Sequence, residues 1–235
     1  KEYRRQRQMC IRDRLADTGF SDEELARLMG DLAPTVLEPE DEEHKPAPSG
    51  PVHSVRGEVY QLGPHRLMCG DSTSVDDVDA LMAGDKADCV WTDPPYGMSY
   101  AGGRGKKAFG MIKNDDATGD DLISLVRDAM SNAKLSSKDE AAAYCCFPWR
   151  TYSEFEEAFV SAGYSVDACI VWNKGSIGLG HQDYRPQHEF MFYSSGKWFG
   201  DRAQSDVWSI TRDSHHDYAH PTQKPVQFVQ VAIEN

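Results

Sequence analysis

From Gly57 onward, the apolar and polar positions switch repeatedly between a period of about two and one of about three and a half. Val59 to Leu62 and Arg66 to Cys69 have strand character on either side of Gly63-Pro64-His65, which reads as a hairpin. A helix is predicted over about residues 74 to 83, followed by the short apolar run Ala87 to Thr92, ADCVWT, with the look of a buried strand. Helical spacing over Asp120 to Ala133 and Tyr152 to Ala162 then alternates with strand-like runs at Ala141 to Phe147, Val166 to Asn173 and Glu189 to Ser194. A last helical pattern covers Val226 to Glu234. Strands alternating with helices predict an α/β fold built on a mainly parallel, doubly wound sheet. No internal repeat is evident.

The first part of the chain follows different rules. Lys1 to Arg14 is basic, lacks periodicity and has no initiating Met, so it reads as a tag, an assembly artefact or the torn edge of a longer chain. Ser21 and Glu24 form a capping box ahead of Leu25, Leu28, Met29 and Leu32, which predicts a short helix over about 21 to 33. Pro39 to Pro51 is acidic and then proline-rich, as linkers are. The expected division is therefore residues 1–54, disordered or linker with that helix, and residues 55–235, one α/β domain.

Composition narrows the field without naming a function. A chain of 235 residues with 40% hydrophobic content can bury one real core. No stretch reaches the length of a membrane span and no secretory h-region is visible, so neither a membrane partner nor export is expected. The six cysteines sit mostly in apolar runs rather than in CxxC pairs and read as buried thiols of a cytosolic protein. His188-Glu189 and His215-His216 with His220 lack zinc spacing, so no metal is expected. A net charge of −13 argues against indiscriminate nucleic-acid binding, although a local patch can still grip phosphate. Arg104, Lys106 and Lys107 form the best such patch, in a Gly-rich stretch that reads either as a solvated loop or as a phosphate contact.

The chemistry concentrates where the Ala87–Thr92 run ends, at Asp93, Pro94, Pro95 and Tyr96. Two prolines stop the ladder and fix a loop at the carboxyl end of the strand, the edge at which open α/β sheets bind ligands. A planar base with an exocyclic amino group suits this loop. Asp93 and the Pro94 carbonyl can accept its two N–H bonds while Tyr96 stacks on its face.

The DPPY tetrapeptide resembles the catalytic motif of amino-methyltransferases that act on adenine N6. His220 to Pro225, HPTQKP, resembles the cofactor-side motif of the circularly permuted β-class of DNA methylases. Gly70-Asp71-Ser72, Trp172 to Lys174 and His188-Glu189 match that family in order, over roughly residues 55 to 235. The segment upstream resembles, more weakly, the tail of a ParB-like domain. The resemblance implies a Rossmann-like methyltransferase fold, S-adenosylmethionine as cofactor, and double-stranded DNA with its target base flipped out of the stack as partner. It also implies a cytoplasmic protein of bacterial or phage origin, in a setting such as restriction-modification, and allows a homodimer. Catalysis would fall to Asp93, Pro94, Pro95 and Tyr96. Cofactor contacts would fall to Asp71, Asp93, His220, Thr222 and Lys224, with Lys224 on the methionine carboxylate. DNA contacts would fall to Arg104, Lys106, Lys107, Tyr184 and Arg185. Two of these residues have a local alternative: Asp71 and Thr222 can each be helix N-caps, with Pro225 in the first turn behind Thr222. Residues of about 197 to 218, with Trp198, Arg202, Trp208 and Arg212, stand where the family carries its target-recognition segment.

One departure qualifies the match. The family places a glycine-rich cofactor loop of the type Phe-x-Gly-x-Gly after the HPTQKP helix, and none is present up to Asn235. The expectation is a fold incomplete on its C-terminal side and a piece with weak activity by itself. The alternatives are methyl transfer to cytosine N4, to RNA or to a protein glutamine, and a DNA-binding remnant without catalysis.

Overall fold

The protein is described from a computed structural model, which covers residues 54–99, 113–178, 183–200, 204–212 and 222–235. The helix expected over 21–33, the basic residues Arg104, Lys106 and Lys107, and His220 lie outside the described residues.

The first described elements form the predicted hairpin. Strands β1 (Val59–Leu62) and β2 (His65–Met68) pair antiparallel from Val59↔Met68 to Leu62↔His65. Helix α1 (Val75–Met82) follows, capped by the Ser74 hydroxyl, which accepts from the Asp77 N–H at 3.3 Å. The cap expected of Asp71 is thus taken by a residue three places on. Asp71 instead folds the turn in front of the helix, accepting from the Thr73 N–H at 3.1 Å and the Thr73 hydroxyl at 2.7 Å.

A five-stranded sheet forms the centre. It contains β3 (Ala87–Thr92), β4 (Ser137–Phe147), β5 (Ala168–Asn173), β6 (His188–Ser194) and β7 (Val207–Ser209), in the order β3-β4-β6-β5-β7. The pairs β3·β4 and β5·β7 are parallel, whereas β6 runs antiparallel to both β4 and β5. Four strands therefore point one way and β6 alone is reversed, which fits the mainly parallel, Rossmann-like sheet expected. The reversal matters for the site. It brings the amino end of β6, His188 and Glu189, to the edge where β3, β4 and β5 end.

Helices α2 (Gly119–Leu135) and α3 (Tyr152–Ser161) cover one face of the sheet. Leu122, Val126 and Met130 from α2, with Phe155, Ala158 and Phe159 from α3, pack on Ala143, Cys145, Phe147 and Phe192 of the strands. Their three-to-four-residue spacing is what makes these segments helical and lays one apolar stripe on the sheet. The other face carries Tyr144, Cys146, Trp172, Met191 and Trp208, covered by Phe228 and Ala232 of helix α4 (Val226–Glu234). Trp172 and Phe192 are core residues, as their strands suggest. Trp208 is core as well, on a strand that the sequence did not reveal, so it is withdrawn from any target-recognition surface.

Phe228 fixes α4 to the sheet. It stacks on Trp172 at a centroid distance of 4.7 Å and meets Trp91 and Trp208 edge-on at 6.1 and 5.7 Å. Among the described residues no helix is long and apolar enough to cross a membrane. Replacing Phe228 with Ala is expected to cost about 3–5 kcal/mol, the usual range for a fully buried phenyl ring. A denaturant midpoint shift at unchanged slope would measure it.

Candidate active site

The carboxyl edge of the sheet bears a cavity of about 410 Å³. Its floor is the end of β3 with the turn beyond it, namely Trp91, Asp93, Pro94, Pro95 and Tyr96; Met98 and Asp115 close one side, and Thr222, Gln223, Lys224 and Val229 the other. The DPPY turn and the Thr222–Lys224 stretch, 126 residues or more apart in sequence, thus meet in one place.

The turn is held by a residue that no motif singled out. Asp115, only 4% exposed, accepts from the Tyr96 N–H at 2.9 Å, and its own carbonyl accepts from the Ser99 N–H at 2.6 Å. Gly97 between them adopts a left-handed backbone, with φ of +70°. A Cβ at Gly97 would come within 2.6 Å of the Ala117 carbonyl oxygen and 2.9 Å of Leu122. Only glycine satisfies both demands. Tyr96 is further fixed by its ring, which meets Phe155 of α3 edge-on at 6.2 Å.

Four charges of alternating sign run from the cavity wall, at Asp93 and Lys224, to Glu189 and Lys174 behind it. The Lys224 ammonium donates to both oxygens of Asp93, at 2.9 and 2.8 Å, and to the Tyr96 hydroxyl at 3.2 Å. It also lies 3.3 Å from Glu189 Oε2, while Glu189 Oε1 accepts from Lys174. The Tyr96 hydroxyl in turn donates to Asp93 Oδ1 at 2.8 Å. Lys174 follows β5 directly and sits 5.1 Å over the Trp172 ring. The side chains of Lys224 and Lys174 are only 8% and 7% exposed. Ammonium groups so deeply placed persist only when paired.

Protonation follows from this arrangement. Burial by itself would lower the Lys224 ammonium, but Asp93 and Glu189 more than offset it and hold Lys224 above its ordinary range. For Lys174 burial wins over the help of Glu189, and its ammonium falls below the usual value. Burial would raise the Glu189 carboxyl, yet Lys224 and Lys174 together bring it below its ordinary value. The Tyr96 hydroxyl is pushed well up, mainly by burial and then by the negative charges around it, so it remains a donor at neutral pH.

Of the residues expected at the site, Asp93, Pro94, Pro95, Tyr96, Thr222 and Lys224 line the cavity. Asp71 does not; its carboxylate is engaged by Thr73 and lies 3.6 Å from Arg56. Tyr184 and Arg185 are exposed on the β5–β6 connection, Tyr184 to 94%, and neither lines the cavity. Thr222 is not a helix cap, because α4 begins at Val226 with Pro225 in the cap position. Glu189 and Lys174 were noted only as a sequence match. The available signal was a charged residue opening an otherwise apolar strand, HEFMFYS, and a lysine closing another, ACIVWNK. Among the described residues no group of three or more His, Cys, Asp or Glu could hold a metal ion.

Comparison with known proteins gives relatives in keeping with this site. The chain is 24% identical over 173 residues to the "Putative methylase YubD" of Escherichia coli (strain K12), a match covering 72% of this chain and 69% of that protein. Among solved structures it is similar to the M1.HpyAVI–SAM complex, with a TM-score of 0.47 and 16% identity over 70% of this chain and 72% of the other. The crystal structure of M1.HpyAVI gives a TM-score of 0.46 and 14% identity, over 70% of this chain and 71% of the other. No family model matches the chain.

Two outcomes are expected from the site geometry. Gly97→Ala should destabilise the protein by about 1–3 kcal/mol, the range for a non-glycine residue forced into left-handed backbone, as read by thermal or chemical unfolding. The second concerns acid. Because the folded Glu189 carboxyl lies below its ordinary value of 4.5, its stabilising contribution is present above that pH and is lost as the pH falls through the folded value. Unfolding midpoints of wild type should therefore fall more steeply below about pH 4.5 than those of Glu189→Gln, which has no carboxyl there to protonate.

Proposed function

We propose that the chain is a methyltransferase that moves the methyl group of S-adenosylmethionine to the exocyclic amino nitrogen of adenine in DNA. The observation that carries this reading is the cavity in which the rigid DPPY turn, an acidic acceptor and the Thr222–Lys224 stretch converge. The sequence likeness to a protein named as a methylase supports it. The lining fits both ligands in kind. Trp91, Met98 and Val229 offer apolar contact to flat rings, the Trp91 indole N–H is a buried donor without a hydrogen-bond partner among the described residues, and Asp93 supplies negative charge towards a sulfonium.

S-adenosylmethionine supplies an already activated methyl group, so the protein's task is placement and electrostatics. The adenine amino nitrogen is a poor nucleophile because its lone pair is delocalised into the ring. Asp93 and the Pro94 carbonyl would accept its two N–H bonds and draw it towards tetrahedral geometry, freeing the lone pair to take the methyl group; the methyl–sulfur bond breaks as the N–C bond forms, S-adenosylhomocysteine leaves, and the surplus amino proton departs by way of Asp93 to water. Pro94 and Pro95 hold the backbone that carries this carbonyl, and Asp115 and Gly97 hold the turn. Tyr96 offers its ring edge and its hydroxyl stays on Asp93. No covalent intermediate with the protein is needed.

The target base must leave the duplex to reach a pocket of this kind, at a cost of a few kcal/mol. We assign to Tyr184 and Arg185 a contact with the DNA around the site: one is an aromatic ring exposed almost completely, the other a neighbouring guanidinium. The basic residues Arg104, Lys106 and Lys107 are assigned the phosphates, which offsets the overall charge of −13 locally.

Asp93→Ala is expected to abolish transfer without unfolding the protein, since Lys224 keeps Glu189 as a partner. Turnover from radiolabelled S-adenosylmethionine to adenine-containing duplex DNA should drop at least about tenfold, or roughly 1.4 kcal/mol of barrier. Hydrolysis of the product DNA should yield N6-methyladenine. N4-methylcytosine, or label only in RNA, would overturn the choice of base or polymer.

A further inference from the structure

Glu189 Oε2 is buried and accepts no aligned hydrogen bond among the described residues, although the Lys224 ammonium is only 3.3 Å away. The same ammonium spans both oxygens of Asp93. A carboxylate oxygen has two lone-pair sites, and Asp93 Oδ1 already receives Lys224 and Tyr96. The cation thus loads both oxygens of the carboxylate required for an amino group, with one site left on Oδ2, while Glu189 Oε2 already lies at ion-pair distance from that cation and is short of a hydrogen bond.

We propose that Glu189 is a second seat for Lys224: when Asp93 takes the amino group of the target base, the ammonium passes from Asp93 to Glu189 Oε2. Glu189 is then a positioning residue that acts through Lys224, and the inference rests on the methyl-transfer reading above. The electrostatics favour this direction. An amino nitrogen that attacks the sulfonium methyl gains positive character, which an ammonium on its acceptor opposes and a bare carboxylate supports. The move is short, and it leaves the number of buried charges unchanged, so no new charge is desolvated. The two partners also differ in freedom. Glu189 is anchored in a central strand opposite Trp172 with Oε1 tied to Lys174, whereas Lys224 reaches in on a flexible four-carbon stem ahead of α4. Glu189 also stands outside the residues that line the cavity, so it serves as a receiver without competing for the substrate.

The test compares the wild-type chain with Glu189→Gln and with Lys174→Met/Glu189→Gln, in which the buried pair is removed together. Thermal melting should show Glu189→Gln weakened and the double variant restored towards wild type. The 15N-ammonium signal of Lys224, assigned by its loss in Lys224→Met, is then followed on titration with adenosine. It should shift in wild type and lose that response in both variants. With S-adenosylmethionine and duplex DNA, kcat should fall at least about tenfold in both, while KM for S-adenosylmethionine stays within about threefold. A double variant whose kcat returns to within about twofold of wild type would show that Glu189 merely neutralises Lys174, and would overturn the proposal. An adenosine response in Glu189→Gln equal to that of wild type would overturn it as well. Absence of methyl transfer by the wild-type chain to any base would count against the methyl-transfer reading instead, and the adenosine titration would then decide the handover by itself.

Discussion

The pairing of buried charge at the carboxyl edge of the sheet is the constraint on which the rest of this molecule turns. Two ammonium groups that are almost fully covered cannot be left without partners; removing one partner of such a pair typically costs about 3–5 kcal/mol. Lys174, Glu189, Lys224 and Asp93 come from three strand ends and one pre-helix segment. All four elements must be in place before any of these charges is satisfied. The alternation of sign thus acts as a register check on the fold: a slip of one residue in β6 would carry Glu189 to the other face of the sheet, strand Lys174 and leave Lys224 with Asp93 alone.

Packing supplies the rigidity that the charges need. The aromatic cluster of Trp91, Trp172, Trp208 and Phe228 joins α4 to three strands, and Lys224 lies two residues before that helix. On the opposite face, Phe155 touches Tyr96 and also packs with Phe147, so α3 supports the DPPY turn from beneath. The two halves of the cavity are thereby braced by different cores. The position of the Lys224 ammonium over Asp93 reports the fit between them.

Much of this was legible in the sequence, for physical reasons that differ by element. The helices over Gly119–Leu135 and Tyr152–Ser161 announced themselves through a single apolar stripe. Strand β3 was clear because two prolines ended it. Strand β7 was hidden: three residues, Val207–Ser209, are too few for a periodic signal, and Trp208 among polar neighbours suggested a surface. The convergence of Asp93 with Lys224 was implied only by resemblance, since no spacing rule links positions so distant. Asp115 was invisible, because an acidic residue in the run NDDATGD looks like solvated loop until the backbone folds over it. Asp71 failed for the opposite reason. An aspartate ahead of a helix suits several local hydrogen-bond patterns, and here the Thr73 turn took it.

The bond from the Ser99 N–H to the Asp115 carbonyl, 2.6 Å long, has a consequence for chain length. It joins positions 99 and 115, and the basic residues Arg104, Lys106 and Lys107 fall between them in sequence. Doubling the length of a flexible loop costs only about 0.6 kcal/mol in closure entropy, and the knot at Ser99 and Asp115 shields the turn from what lies between. A change of length between Ser99 and Asp115 is therefore expected to leave the turn at Tyr96 in place.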